Sequence, residues 1–232
     1  MNVAIIPARG GSKRIPDKNV KHFAGKPIIA YSIEAAKVSG LFDKIFVSTD
    51  SEKIALTAKK FGAEVPFMRP KELSDDFTPT AMVLLHALKW IEEQGTPADF
   101  VCCIYATAPF INAAYLEKGF RLIMSESVSV VFPVTSFPFS IFRALNIKKT
   151  GRLEMIWPEH EFTRSNDLPE AYHDAGQFYW VDSKEFLKTK KLYGNDALPV
   201  IIPRFLVQDI DTIEDWETAE VKYEVCKARG LL

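Results

Sequence analysis

The amino-acid sequence predicts an α/β fold: a doubly wound, mostly parallel sheet with a small antiparallel excursion. Short runs rich in β-branched residues alternate with amphipathic stretches of helical length through the first 134 residues. The strand runs are almost continuously apolar, as in strands that helices cover on both faces. The chain has 232 residues and is 47% hydrophobic, which is enough for one domain with a sizeable core.

Five strands and four helices are predicted before residue 135. Pro27 and Pro79 suit first helical turns, Asp50 or Ser51 can cap the second helix, and a glycine follows three of the helices. The predicted strands cover 3–6, 44–47, 64–67, 100–104 and 128–134, and the predicted helices cover 27–39, 51–61, 78–94 and 113–124.

The alternation of strands and helices breaks over residues 139–164. Apolar alternation around 141–145, a turn at 149–151 and a second apolar run at 153–156 predict a short antiparallel hairpin region. We interpret it as an insertion in a single domain, 1–232. It is too small for a core of its own, so its apolar residues predict the interface of a homodimer.

In the last part of the chain strands and helices are again predicted to alternate. Strands are predicted at 177–181 and 200–202, followed by a C-terminal helix that ends near Arg229. Thr212 and Asp215 stand three residues apart and match a capping box at the start of this helix.

Composition excludes several classes of protein. Lys and Arg number 29 against 30 Asp and Glu, a net charge of −1, which argues against a nucleic-acid or acidic-membrane partner. The three cysteines, Cys102, Cys103 and Cys226, are too few for a disulfide framework and fit a reducing cytoplasm. The start of the chain lacks the length of apolar residues that a signal peptide needs, and no run is long and apolar enough to span a membrane. We therefore expect a cytoplasmic protein.

A basic, glycine-containing loop directly follows the first predicted strand. It begins Ala8-Arg9-Gly10-Gly11-Ser12-Lys13-Arg14, and positions 9 to 21 hold five cationic residues against one acid, Asp17. Backbone N–H groups at glycines can approach an anion closely, so the loop predicts a polyphosphate site. It matches neither the dinucleotide-binding nor the P-loop spacing. A solvated basic loop or a sorting signal is the alternative.

A second candidate site is Asp209-Ile210-Asp211 near the C terminus. Carboxylates at i and i+2 of an extended segment point to one side and can hold a divalent cation through oxygen ligands. The alternative for Asp211 is capping of the following helix together with Thr212. No cap explains Asp209.

Residues 8–19 read A-R-G-G-S-K-x-x-x-x-K-N, and this segment resembles the signature of the CMP-sugar-acid cytidylyltransferases, the CMP-sialic acid synthetase family. Four further motifs extend the resemblance in register over nearly the whole chain. They are Ser48-Thr49-Asp50, Arg69-Pro70 with Leu73, Ala106-Thr107-Ala108-Pro109, and Asp209-Ile210-Asp211-Thr212.

The resemblance implies a Rossmann-like nucleotidyltransferase fold, CTP as co-substrate and Mg²⁺ as cofactor. The anomeric hydroxyl of a nonulosonic acid would attack the α-phosphate of CTP and release pyrophosphate. By resemblance the catalytic residues are Arg9, Lys13, Lys18, Asp209 and Asp211, with the two aspartates as metal ligands. The nucleotide would be bound by Ala8, Arg9, Gly10, Gly11, Ser12, Asn19, Arg69 and Thr80.

Two departures from the sialic acid pattern bear on the sugar. This chain has Tyr105-Ala-Thr-Ala-Pro109 in place of Gln-Pro-Thr-Ser-Pro, and Ala175-Gly176-Gln177 in place of Asn-Gly-Ala. Drift of core residues would explain both changes. Loss of sugar-binding amides instead favours a less hydroxylated sugar acid, and the motifs resemble the pseudaminic acid branch. N-acetylneuraminic and legionaminic acids are the alternatives.

By resemblance the sugar-binding candidates are Tyr105, Arg164, His173, Gln177 and Tyr179. Arg164 would bind the sugar carboxylate, and a structural role for His173 is equally open. Strand alternation places Phe178 and Trp180 on one face and Gln177 and Tyr179 on the other, so only one pair can face the sugar. The sequence leaves open which pair it is.

Two other functions remain as rivals. Asp-Ile-Asp is also the D-x-D metal motif of nucleotide-sugar glycosyltransferases, but that class predicts no triphosphate loop after the first strand. A non-catalytic nucleotide-binding regulator would bind CTP without turnover. The complete set of Arg9, Lys18, Asp209 and Asp211 argues against the regulator.

Overall fold

The computed structural model describes residues 1–194 and 196–232. Among these residues lie eleven strands and six α-helices. The strands are β1 Asn2–Pro7, β2 His22–Phe23, β3 Lys26–Pro27, β4 Lys44–Ser48, β5 Phe100–Ile104, β6 Val130–Ser136, β7 Leu145–Ile147, β8 Leu153–Met155, β9 Tyr172–Asp174, β10 Phe178–Asp182 and β11 Leu198–Ile201. The helices are α1 Ile28–Ser39, α2 Glu52–Lys60, α3 Thr80–Glu93, α4 Ala113–Ser125, α5 Ser183–Thr189 and α6 Ile213–Ala228.

Within the described residues, seven strands form the central sheet in the order β11-β6-β10-β5-β1-β4, with β9 beside β6. The pairs β1–β4, β1–β5 and β6–β11 are parallel, and β10 is antiparallel to both β5 and β6. Five of the seven strands therefore run in one direction, and the predicted α/β class with a mostly parallel sheet is confirmed. Strands β9 and β10 are both antiparallel to β6, so the chain reverses between β6 and β9, and the short segment with Gly176, at φ 62°, joins two strands of the same direction.

Helices cover both faces of the sheet, which is the doubly wound arrangement. Along β1, Ala4 and Ile6 belong to one buried cluster and Val3 and Ile5 to the other. The first cluster includes residues of α1, α4 and α6, and the second includes residues of α3 and α5. At α4 the backbone comes so close to the sheet that a Cβ on Gly119 would lie 2.9 Å from Trp180 Cδ1. The central strands are thus buried on both sides, as their apolar runs predict.

The predicted strand at 64–67 is wrong. Only isolated bridges, Phe46 to Glu64 and Thr49 to Met68, join this segment to the edge strand β4 and its carboxyl end. Pro66 lies between the two bridges and has no N–H to donate, so a continuous ladder cannot form.

The hairpin region at 139–164 contains the predicted antiparallel pair, but it is shorter than expected. Strands β7 and β8 pair over three residues each, and the apolar alternation at 141–145 is instead a 3₁₀ turn, Ile141–Arg143, followed by β7. The division of the chain into one domain with this insertion stays a prediction.

No helix within the described residues is long and apolar enough to cross a membrane. Cys102, Cys103 and Cys226 are all buried and unpaired. Burial raises the pKa of the Cys102 and Cys103 thiols, which agrees with their interpretation as core thiols.

Candidate functional site

A cavity of about 370 Å³ opens at the carboxyl ends of β1 and β5. Ligands bind at this edge of open α/β sheets, because the loops that follow the strands converge there. Ten of the catalytic and binding residues predicted from the sequence line it. They are Arg9, Ser12, Lys13, Lys18, Asn19, Arg69, Thr80, Tyr105, Asp209 and Asp211.

The loop after β1 is fixed to the carboxyl end of the neighbouring strand β4. Ala8 N–H donates to the Ser48 carbonyl at 2.9 Å, and Gly10 N–H donates to Asp50 Oδ1 at 2.8 Å. A Cβ on Gly10 would lie only 2.9 Å from Ser51 Cβ, so this close approach requires glycine. Ala8 and Gly10 therefore shape the loop, whereas Gly11 is exposed with open space around its Cα.

The buried side chain of Asn19 holds the backbone of the same loop. Its Nδ2 donates to the Arg9 carbonyl at 2.9 Å. This contact fixes the backbone from which the Arg9 side chain enters the cavity.

Four cationic side chains of the loop form ion pairs with two carboxylates that line the cavity. Asp76 accepts Arg9 Nη1 and Lys13 Nζ, each at 2.5 Å, and these contacts lower the pKa of Asp76, Lys13 contributing most. Asp211 pairs with Arg14 Nη2 at 3.0 Å and with Lys18 Nζ at 3.4 Å. Sequence reasoning missed Asp76; its one signal was the acidic pair Asp75-Asp76 shortly before a helix.

The backbone that carries Asp209 and Asp211 is held by three side chains that are distant from it in the sequence. Gln177 Nε2 donates to the Leu206 carbonyl at 2.7 Å, Lys222 Nζ to the Val207 carbonyl at 2.6 Å, and Lys18 Nζ to the Ile210 carbonyl at 2.6 Å. Burial lowers the pKa of Lys222. Buried Gln177 thus supports the acidic segment and lines neither this cavity nor the one described below.

The cap of the following helix uses neither the Asp209 nor the Asp211 carboxylate. Thr212 caps α6 and forms a capping box with Asp215, so the Asp211 carboxylate takes no part in the cap. Asp209 opens to the cavity, and its pKa is raised because surrounding protein displaces water and because Asp211 lies near.

Paired carboxylates beside a cavity lined by cations fit a hard divalent cation. Within the described part of the chain, no three His, Cys, Asp or Glu side chains gather into a closed metal site. Mg²⁺ commonly takes one or two carboxylates and completes its shell with phosphate oxygens and water. Asp209 and Asp211 match that donor set.

Arg69 is 5% exposed and is therefore a buried arginine in the wall of the first cavity. Its Nε donates to Ser74 Oγ at 3.1 Å, and Nη2 lies 4.0 Å from Asp50 with no hydrogen-bond partner among the described residues. Burial lowers the pKa of Arg69. A buried donor without a partner in a cavity wall is suited to bind a polar ligand group. Nearby, Thr80 Oγ1 lies 3.5 Å from the Tyr105 hydroxyl.

A second cavity of about 420 Å³ adjoins the first and shares Tyr105 and Asp209 with it. Its wall also contains His173, Asp174, Ala175, Gly176, Tyr179, Tyr193, Val207 and Gln208. Strand β10 turns Tyr179 toward this cavity, while Phe178 and Trp180 pack on the opposite face against Gly119 of α4. The open question of which face of β10 lines the cavity is thereby answered. Asp174 and Tyr193 were missed because they meet only in the folded chain.

Arg164 lies outside both cavities. It precedes a 3₁₀ turn, its side chain is 78% exposed, and its Nε is 3.6 Å from Asp167. Arg164 therefore has no contact with either cavity.

Comparison with known proteins agrees with this arrangement. A family model described as cytidylyltransferase matches residues 3–221. The chain is 43% identical to a pseudaminic acid cytidylyltransferase from Campylobacter jejuni, over 97% of both chains. It is 31% identical to a CMP-N,N'-diacetyllegionaminic acid synthase from Legionella pneumophila, over 96% of both.

A solved structure of a CMP:2-keto-3-deoxy-manno-octonic acid synthetase complexed with CTP superposes with a TM-score of 0.70. The identity is 16%, over 95% of this chain and 97% of the other, so this likeness concerns the fold. The family model and the Campylobacter relative both span nearly the whole chain. By these two matches, the chain belongs to the cytidylyltransferase family.

Proposed function

We propose that this protein transfers CMP from CTP to the anomeric hydroxyl of a nonulosonic acid, pseudaminic acid, and releases pyrophosphate. The observation that carries the proposal is the pair of adjoining cavities, one lined by cations and one by phenols, that share Tyr105 and Asp209. The identity of 43% to a pseudaminic acid cytidylyltransferase supports the choice of sugar.

The first cavity suits the nucleotide. Arg9, Lys13 and Lys18 supply positive charge for the triphosphate from a loop whose backbone is anchored at Asp50 and Asn19. Arg69, with its unpartnered Nη2, and Thr80 lie deeper and suit polar groups of the nucleoside. Charge that is already in place stabilises the negative charge that develops on the phosphates during transfer.

Asp209 and Asp211 are proposed to hold Mg²⁺. The ion would supply Lewis-acid stabilisation of the phosphate oxygens. Lys18 is placed to hold this arrangement together, since one ammonium group contacts both the Ile210 carbonyl and the Asp211 carboxylate.

The second cavity suits the sugar acid. Its anomeric oxygen would form a bond to the α-phosphorus as the bond to the pyrophosphate oxygen breaks, so no protein nucleophile is needed. Tyr105 and Asp209, which belong to both cavities, mark where the two substrates meet. Catalysis then depends on positioning and charge stabilisation.

We also propose a homodimer formed through residues 139–164. Several apolar side chains of this region are exposed to an extent that is unusual for a monomer surface, such as Phe139 at 84% and Phe162 at 93%. Arg164 stands in the same region, so it would bind a sugar carboxylate only in the site of the second subunit. Size-exclusion chromatography with light scattering tests the dimer, and a monomer at micromolar concentration would contradict it.

The cytoplasm is the proposed location. Buried, unpaired Cys102, Cys103 and Cys226 fit a reducing compartment.

The experiment for the reaction is a panel assay of pyrophosphate release from CTP and Mg²⁺ with pseudaminic, legionaminic or N-acetylneuraminic acid. The largest kcat/KM is expected with pseudaminic acid. An equal or larger value with N-acetylneuraminic acid would reassign the sugar but keep the reaction. CTP binding without turnover of any sugar acid would instead identify a regulator.

A further inference from the structure

Three side chains in the second cavity form a closed hydrogen-bond cluster. Asp174, at the end of β9, accepts Gly176 N–H on Oδ1 at 2.7 Å. Its Oδ2 accepts the hydroxyls of both Tyr179 and Tyr193, and the two phenol oxygens are 3.2 Å apart. Ring contacts hold the geometry, since Phe132 lies 5.6 Å from Tyr179 and 5.3 Å from Tyr193 between ring centres.

The phenols of this cluster keep their protons at neutral pH. Burial and the charge of Asp174 raise the pKa of Tyr179 far above its usual value, and burial with the Asp174 hydrogen bond raises the pKa of Tyr193 to about 12. Each phenol has a single proton, and both protons are committed to Asp174. What remains for a ligand are lone pairs on the phenol oxygens and one remaining acceptor position on the carboxylate.

The neighbouring histidine adds a further acceptor. His173 Nδ1 lies 2.8 Å from the Asp174 carbonyl oxygen, which can only accept, so Nδ1 carries the hydrogen. In the neutral ring Nε2 is then an acceptor. This wall of the cavity, formed by His173, Asp174, Tyr179 and Tyr193, therefore offers acceptors to a ligand.

A wall of acceptors selects ligand groups that donate. A carboxylate or a phosphate placed here would meet lone pairs, so the acidic end of a sugar acid must point toward the cations of the first cavity. A hydroxyl can donate or accept, whereas an amide N–H can only donate and carries its acyl group beside it. The ring of Tyr105 and the side chains of Val207 and Ala175 provide apolar surface for such an acyl group.

We propose that Asp174, positioned by Tyr179 and Tyr193, accepts an N–H of an acylamino group of the sugar and so determines specificity for acylated amino sugar acids. This inference rests on the proposed function, because it takes the second cavity as the sugar site. Tyr179 and Tyr193 act as positioning residues, and Asp174 is the group that touches the substrate.

The test compares two nine-carbon sugar acids: pseudaminic acid, with two acylamino groups, and the keto-deoxy nonulosonic acid with hydroxyls at those positions. Asp174→Asn is expected to lower kcat/KM for the acylamino sugar about tenfold or more, as expected for loss of a hydrogen bond to a charged group. For the hydroxyl sugar kcat/KM should fall much less, so the ratio of kcat/KM for the acylamino sugar to kcat/KM for the hydroxyl sugar should decrease. Tyr193→Phe should narrow the ratio in the same direction by a smaller factor.

Tyr172→Phe is the matched control, because Tyr172 lies on β9 with Asp174 and its hydroxyl donates to Glu170 outside the cavity. This variant should behave as wild type. Tyr193 is 57% exposed, so Tyr193→Phe tests the proposal even if Asp174→Asn does not fold. An unchanged ratio in the folded variants, or an equal loss with both sugars, would overturn the proposal.

Calorimetry separates failure of the subsite from failure of the proposed function. Binding of each sugar acid is measured in the presence of Mg²⁺ and a non-hydrolysable CTP analogue, so that no turnover is required. Weaker binding of pseudaminic acid alone in Asp174→Asn supports the subsite. A wild type that binds neither sugar acid would overturn both the subsite and the proposed function, whereas binding without pyrophosphate release would overturn only the latter.

Discussion

The two cavities of this protein bind by different physical means. The first relies on long cationic side chains on a loop, and these reach solvent: the Lys13 side chain is 81% exposed and that of Arg14 65%. The second relies on rings and a carboxylate, of which Asp174 and Tyr179 belong to strands and Tyr179 is only 1% exposed, while Tyr193 lies after α5 and is 57% exposed. Charge acts over distance and tolerates movement, whereas a hydrogen-bond cluster discriminates only if its geometry is fixed. The difference suits a triphosphate in one cavity and selection among similar sugars in the other.

The largest effect is expected at the two aspartates of the proposed metal site, one of which, Asp209, lines both cavities. Asp209→Ala and Asp211→Ala should each lower kcat by about three orders of magnitude, because each removes an oxygen ligand of the proposed metal ion. Both residues line a cavity, so melting temperatures should change little. EDTA in excess should abolish the activity of the wild type.

Glu214→Ala is the matched control for these variants, since Glu214 is an exposed acid in the first turn of α6. It should retain full activity. Wild-type turnover in excess EDTA would contradict the assignment of Asp209 and Asp211 to a metal ion.

A smaller effect, mainly on the first cavity, is expected from substitutions in the cationic loop. Arg9→Ala should lower kcat/KM by about two orders of magnitude, by analogy with loss of a charge-stabilising donor, and weaken CTP binding. Binding of the sugar acid should weaken much less than binding of CTP, because Arg9 lines only the first cavity and the sugar acid would reach it only with its carboxylate. Separate calorimetric titrations with CTP and with the sugar acid check this.

Lys59→Ala serves as the control for loss of a cation, since Lys59 is exposed on α2. Equal loss of affinity for both substrates in Arg9→Ala would show that the two cavities are not independent.

The smallest expected effect is a gain in affinity for CTP rather than a loss. Asp76 neutralises Arg9 and Lys13 and must release them when a triphosphate binds, so Asp76→Asn should tighten CTP binding about threefold to tenfold. Lys13 and Arg9 hold the pKa of Asp76 below its ordinary value of 3.8, so the carboxylate is charged at about pH 6 as well as at about pH 8, and the gain is expected at both.

Calorimetric titration of CTP at low salt measures this gain, and added salt should reduce it. Weaker CTP binding in Asp76→Asn would instead make Asp76 a ligand of the bound nucleotide complex.

Local patterns in the sequence predicted the basic loop and the helix starts around the first cavity, whereas Arg69 and Thr80 came only from the family resemblance. The basic loop, the cap at Ser51 and the capping box of Thr212 and Asp215 depend on neighbouring residues, so their positions could be derived from spacing. The direction of β10 could not be predicted, because a strand that is buried on both faces has the same apolar pattern in either direction.

The second cavity was harder to predict because its contacts join distant positions. Alternation grouped Gln177 with Tyr179, yet β10 begins only at Phe178, and the Gln177 side chain turns inward to the Leu206 carbonyl. Asp174 and Tyr193 are 19 residues apart and meet through tertiary packing. Neither contact leaves a periodic signal in the sequence.

The anchoring of the acidic segment has an evolutionary consequence. Gln177, Lys222 and Lys18 bind carbonyl oxygens of residues 206–210, and every amino acid supplies that group. A side-chain substitution in this segment, even at Gln208 in the wall of the second cavity, therefore leaves the three anchoring hydrogen bonds in place. Among related chains, we expect variation immediately beside the reacting groups and constraint at the remote anchor positions.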